Sequence, residues 1–151
     1  MKPFVTALVV LCSLVLPSFA CAGETSVQAL STWTNQSGSL LYIDSVASNG
    51  LISGTYINKA SGYGCQNIPY PVTGWVYGSA MTFTTIWQGS TSCNSITAWT
   101  GFLGADDAIH TLWQLVVNGS SKTSQIIQGA DTFTPVAGNH ANALLIEKKA
   151  E

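Results

Sequence analysis

The chain contains no arginine. Its five lysines are dispersed, with Lys2 at the start, Lys59 and Lys122 isolated, and Lys148-Lys149 near the end. Binding to phosphate backbones needs a basic stripe or cluster, so nucleic acid is excluded as a partner. The same absence excludes an anionic membrane surface. Histidine is nearly missing too. His110 and His140 stand in no ligand or catalytic motif. No nucleophile lies beside a base and no metal-ligand spacing is present, so neither an enzyme nor a metal protein is expected. Long stretches with apolar residues at helical spacing are also absent, which leaves β structure.

The N-terminus has its own character. Lys2 supplies a positive start, Phe4 to Leu16 is almost wholly apolar, and Pro17 breaks the run. Ala20-Cys21-Ala22 then offers small residues at signal-peptidase spacing. Residues 1–22 are read as a signal peptide. The apolar core is too short for the roughly 20 residues of a membrane span. A membrane anchor and a lipid-modified Cys21 are the alternatives. Export to the cell exterior or the periplasm follows from this reading. Cys12 and Cys21 leave with the signal, so Cys65 and Cys93 remain. Two cysteines in an exported chain read as one disulfide, with free thiols as the alternative. Four lysines against seven acids then give a formal charge of −3.

What is abundant is Ser, Thr, Asn, Gly and aromatic residues, a strand-and-turn composition. Eight β-rich runs follow a short segment at 23–31. They cover 32–36, 39–46, 51–58, 71–77, 81–87, 95–103, 109–117 and 124–134. Asn49-Gly50, Gly78-Ser79, Asp106-Asp107 and Asn118-Gly119 are turn signals between them. Lys59–Pro69 and Gln88–Asn94 are longer loops and hold Cys65 and Cys93. Asn35 and Asn118 each begin a glycosylation sequon but read as a strand start and a turn. The spacing predicts an all-β fold, an eight-stranded antiparallel up-and-down barrel over 32–135, with a C-terminal tail at 136–151. Eight strands close around space for one small ligand. A sandwich is the runner-up and needs longer crossing connections.

Alternation along the strands gives the function. Ser95, Thr97 and Trp99 share one face; so do Tyr56 and Asn58, and so do Trp33 and Asn35. Trp113 and Asp131 stand on late strands among apolar neighbours. If the aromatic member of each set points inward, hydroxyls, amides and a carboxylate go with it. So many buried polar groups need partners. A polar ligand in the barrel mouth supplies them; mutual hydrogen bonds or trapped water are the alternative. A lipocalin-like barrel would be greasier.

These residues resemble the avidin/streptavidin family. The resemblance runs from Trp33 to about Phe133. It is carried by Trp33-Thr34-Asn35-Gln36-Ser37-Gly38-Ser39, Gly54-Thr55-Tyr56, the Trp87 segment and Ser95-Ile96-Thr97-Ala98-Trp99-Thr100-Gly101. Thr111-Leu112-Trp113 and Gly129-Ala130-Asp131-Thr132-Phe133 complete it. The resemblance implies non-covalent, high-affinity binding of biotin with no catalysis and no cofactor. By position, Asn35, Ser39 and Tyr56 would donate to the ureido oxygen, an oxyanion-hole logic without a reaction. Asn58 and Asp131 would accept from the ureido N–H groups, although the family's archetype has serine where Asn58 stands. Thr97 would meet the thioether sulfur and Ser95 the carboxylate. Trp87, Trp99 and Trp113 would form an apolar box, and Trp33 would pack in the floor.

Two departures stand out. Tetrameric members lid the pocket with a neighbour's tryptophan, and the equivalent position here is about Thr123. The Cys65 and Cys93 contexts are similar to the dimeric members instead. The resemblance implies that these two cysteines bridge loops at the mouth and hold a loop over the ligand. A homodimer is expected, with Trp75 as a candidate interface residue. An avidin-like barrel that binds another small polar ligand, or biotin only weakly, is the competing reading.

Overall fold

A computed structural model describes residues 26–90 and 93–137. The expected signal peptide, His140 and the tail beyond residue 137 lie outside the described residues. Eight strands run in chain order: β1 (Ser31–Asn35), β2 (Leu40–Val46), β3 (Leu51–Ile57), β4 (Pro69–Tyr77), β5 (Ala80–Ser90), β6 (Cys93–Leu103), β7 (Ile109–Val117) and β8 (Ile127–Pro135). Each pairs antiparallel with the next, and β8 pairs back to β1, so the sheet closes into an up-and-down barrel. Closure leaves no free sheet edge.

Period-two alternation sets which side chains face inward. On β4, Tyr70 and Val72 are buried while Thr73, Trp75 and Tyr77 face out. On β6, Cys93, Thr97, Trp99 and Leu103 are buried while Ile96, Ala98 and Phe102 are exposed. Leu41, Ile43, Ile52, Phe83, Ile109 and Phe133 are wholly buried and form the core. Each such side chain contributes about 1.5–3 kcal/mol of hydrophobic stabilisation. The core alone therefore favours folding strongly, and the polar end of the barrel can serve a ligand. Trp33 lies beside Leu103 and Pro135 at the end of the barrel opposite the long loops.

Most strand boundaries agree with the sequence reading to within a residue, and those at the β5–β6 hairpin and at the starts of β4 and β8 differ by more. The β5–β6 hairpin is longer than expected, because Ser90 pairs with Cys93 beyond a register shift after Trp87. Gly89, with φ +129°, lies within that irregularity, where β5 carries one residue more than β6. Cys93 therefore sits on a strand and not in a loop. β4 begins two residues early, at Pro69. Pro69 and Pro71 pair with Ile57 and Thr55, but the register with β5 begins only at Val72. The prolines thus occupy an overhang where no N–H is owed to β5. At the last strand, Thr123–Gln125 forms a 3-10 turn and β8 starts at Ile127.

Candidate functional site

One end of the barrel opens into a cavity of about 230 Å3. Asn35 and Ser39 reach it from the β1–β2 hairpin, Tyr56 and Asn58 from the end of β3, and Trp87 from β5. Ser95, Thr97 and Trp99 come from β6, Trp113 from β7 and Asp131 from β8. All ten residues selected from the sequence line this one space. Cys65, expected at the mouth as half of a disulfide, lines it too; Gln36, Ser37, Ala60, Tyr63, Gly64, Leu115 and Ala130 also line it and were not selected. Gln36 and Ser37 lie in the turn after β1; the sequence reading carried the first strand through Gln36, where alternation sets it on the face opposite Asn35.

The orientation of Asn35 is fixed by backbone chemistry. The turn after β1 aims the Ser37 and Ser39 N–H groups at Asn35 Oδ1, at 3.0 and 2.9 Å. The oxygen is thereby occupied, and Nδ2 must face the cavity. It donates to Asp131 Oδ1 at 3.1 Å and to the Tyr56 hydroxyl at 3.4 Å. Asp131 is 8% exposed. Its Oδ1 also accepts from Gln36 Nε2 at 2.8 Å, and its Oδ2 accepts from Trp99 Nε1 at 2.8 Å. Burial pushes the Tyr56 phenol well above the ordinary tyrosine value. A hydrogen bond with Ser39 opposes this in part and the Asp131 charge reinforces it. Tyr56 therefore remains a neutral O–H donor at any physiological pH.

Asn58 differs from the acceptor expected by analogy. Its Oδ1 already accepts from the Ala60 N–H at 3.0 Å and from the Ser39 hydroxyl at 3.4 Å. The Ser39 hydroxyl in turn accepts from the Lys59 N–H at 3.0 Å. Asn58 thus anchors the start of the following loop and leaves Nδ2 as its end for the cavity. The Asn67 N–H donates to the Asn58 carbonyl at 2.9 Å, and Gln66 Nε2 donates to the Ala60 carbonyl, so the loop is tied back on itself.

The aromatic walls are braced. Trp87 Nε1 donates to Thr97 Oγ1 at 2.8 Å, which leaves the threonine O–H free to point elsewhere. Trp99 stacks on Phe83, with centroids 4.8 Å apart, and Tyr56 lies 5.0 Å from Trp99. Trp113 is opposed across the ladder by Gly129. A Cβ at Gly129 would fall 2.4 Å from Trp113 Cζ2, so only glycine lets the indole lie there. Cys65 and Cys93 are disulfide-bonded, with Cα atoms 5.5 Å apart. The Tyr70 hydroxyl lies 2.9 Å from Cys93 Sγ, and the Tyr70 ring packs edge-on against Trp87 at 5.0 Å. A loop of the mouth and a wall of the cavity are therefore joined through one bridge. Among the described residues, no group of three or more His, Cys, Asp or Glu side chains is placed to hold a metal ion.

This arrangement presents converging N–H and O–H donors, an adjacent carboxylate acceptor and three indoles around a small space. It matches a flat polar ring with a carbonyl flanked by N–H groups. Comparison with known proteins points the same way. The model for the Avidin family matches residues 23–136. Afifavidin of Afifella pfennigii is 46% identical over 110 residues, which cover 70% of this chain and 68% of the relative. The crystal structure of apo shwanavidin superposes with a TM-score of 0.71 at 53% identity, covering 75% of this chain and all of the other. A rhizavidin–biotin complex superposes with a TM-score of 0.66 at 46% identity, covering 74% and 95%.

Proposed function

The chain belongs to the avidin family, and from that premise we propose that it captures one biotin, non-covalently and without catalysis, in the open end of its barrel. The observation that carries this reading is the pairing of Asn35 with Asp131. One presents an N–H donor whose orientation the turn has fixed, and the other presents a carboxylate beside it. A urea offers the complementary edge, a carbonyl oxygen next to N–H donors. Asn35 Nδ2, the Tyr56 hydroxyl and the Ser39 hydroxyl are assigned to the ureido oxygen, Ser39 by turning its proton from Asn58 Oδ1 to the ligand. Asp131 accepts one ureido N–H. Asn58 takes the second only if its amide turns away from Ala60. Thr97, with its oxygen engaged by Trp87, directs its O–H toward the thioether. Ser95 meets the carboxylate at the rim, and Trp87, Trp99 and Trp113 enclose the rings and chain.

Donors held in place before binding cost little reorganisation when the ligand arrives. The Cys65–Cys93 bridge extends the same economy to the loop that carries Tyr63 and Gly64. Biotin is the ligand, with no resident cofactor. The remaining elements of the reading are export to the cell exterior or periplasm and a homodimer. Support for the dimer is the outward wall of β5 to β7, where Ile86, Ile96, Phe102 and Leu112 are all exposed. Ile86 and Ile96 are cross-strand neighbours and form an exposed apolar pair on this wall, a surface suited to association. Trp75, about half exposed, lies on the adjoining strand.

Titration with biotin and with iminobiotin tests the proposal. Tight binding of biotin and weaker binding of iminobiotin at neutral pH is the expected pattern. Equal, weak binding of both would favour another ligand. Light scattering should give two chains per particle; four would overturn the dimer.

A further inference from the structure

The closure of the barrel is uneven. β7 and β8 are paired over seven residues of each strand, from Ile109–Leu115 to Ile127–Phe133, whereas β1 and β8 pair only at Trp33–Pro135, Thr34–Thr134 and Asn35–Phe133. After Asn35 the chain turns away into β2, with the Asn35 N–H bonded to the Ser39 carbonyl and Gly38 at φ +78°. The next backbone groups of β8 would then have no neighbour on this side. The Gln36 side chain fills the place. Its Oε1 accepts from the Thr132 N–H at 3.1 Å and its Nε2 donates to the Ala130 carbonyl at 3.1 Å. One primary amide thus imitates the peptide of a missing strand residue. The same Nε2 donates to Asp131 Oδ1 at 2.8 Å, shorter than the Asn35 contact to that oxygen.

We propose that Gln36 is a positioning residue that aims the Asp131 carboxylate at the ligand while completing the β1–β8 seam, so that seam closure and ligand capture are coupled. This rests on the biotin reading above. Asp131 has a one-carbon stem, and its Oδ1 is turned by whichever donors reach it. Trp99 Nε1 holds Oδ2, and without Gln36 the longer Asn35 contact alone would set Oδ1. Gln36, the next residue along the chain from Asn35, donates to the same oxygen from the β8 side of the seam and fixes it in place beside the ureido site. A ligand N–H that binds Asp131 and a ligand oxygen that binds Asn35 then span the seam, β8 on one side and β1 on the other. Binding should tighten the seam, and loosening the seam should speed release.

The test is a double-mutant cycle on the full mature chain, read by calorimetry with biotin. Gln36→Ala should weaken biotin binding by about tenfold or more, the usual effect of losing a hydrogen bond to a charged group. In an Asp131→Ala background the same change should cost less than about twofold, because its route to the ligand is gone. Gln36→Glu keeps the shape but replaces the donor with a second acid, and should weaken binding at least as much as Gln36→Ala. Amide exchange supplies the second readout. The Thr132 N–H should exchange faster in unliganded Gln36→Ala, and biotin should restore less protection than in the parent. An equal loss of affinity in both backgrounds would make Gln36 a structural strut and overturn the proposal. Unchanged affinity in Gln36→Ala would overturn it as well. If the parent protein itself fails to bind biotin, the biotin reading falls first and takes this proposal with it.

Discussion

Asn35 and Asp131 stand 96 residues apart in the chain and 3.1 Å apart across the seam of the barrel, Nδ2 to Oδ1. The first donates and the second accepts, and each is held by further protein partners, Asn35 by the Ser37 and Ser39 N–H groups and Asp131 by Gln36 and Trp99. The proposed recognition of a urea edge rests on that relationship.

Asp131 is the sharper probe of the pair. Asp131→Asn keeps the shape and removes the charge, and should cost about 1–3 kcal/mol of biotin affinity. Asp131→Ala should cost at least as much, since a ligand N–H then lacks a partner. Neither should unfold the barrel, because the core at Leu41, Phe83 and Phe133 is untouched. Calorimetry for binding and thermal melts without ligand separate the two effects. A collapsed apo fold in Asp131→Asn would assign the residue to structure.

The seam and the barrel were unequally legible. Alternation of apolar and polar residues exposed all eight strands and aligned Asn35, Tyr56, Asn58, Ser95, Thr97 and Trp99 on inward faces, whereas Ser39 and Trp87 came only from the family resemblance. The hairpin around Gly89 was hidden, since Gly-Ser-Thr-Ser reads as loop while pairing at Cys93 extends the ladder. Gln36 was missed for a different reason. It lies one residue past β1, and its role comes from β8, almost a hundred residues on. Asn58 was legible as a cavity residue, but not in its orientation, which the Ala60 N–H and the Ser39 hydroxyl decide.

The disulfide should act on release. Cys65→Ser with Cys93→Ser frees the loop bearing Tyr63 and removes the sulfur against which Tyr70, and through it Trp87, is packed. Dissociation should rise by about tenfold or more, with association changed far less. Stopped-flow binding and competition with unlabelled biotin measure the two rates separately. An unchanged off-rate would mean that the loop holds its place without the bridge.

Gly129 carries a steric prediction. Gly129→Ala places a methyl group 2.4 Å from the Trp113 ring, and the indole must tip. An overpacked site of this kind loses about 1–3 kcal/mol, and here the loss should fall on biotin affinity as well as on stability. Trp113→Phe in the same background should recover stability but not affinity. If Gly129→Ala binds as tightly as the parent, Trp113 is not a wall of the occupied site.

Tyr56 sets the alkaline limit. Its phenol is raised in the fold above the ordinary value of 10.0, while the unfolded chain ionises there. The fold's stability contribution from Tyr56 is therefore complete below about pH 10 and declines as pH rises further. Biotin affinity should stay flat through pH 10, because the folded protein keeps its O–H donor. Denaturant midpoints measured from pH 8 to 11 should fall less steeply in Tyr56→Phe than in the parent. Identical slopes would contradict the raised phenol.

The central claim is most directly tested by following tryptophan emission of the disulfide-bonded protein as biotin is added. Three indoles line the cavity, so occupancy should change the emission sharply, with saturation at one biotin per chain. The same titration of Asp131→Ala should be visibly weaker. Emission that stays constant through millimolar biotin, or a saturating change that Asp131→Ala leaves untouched, would contradict the account.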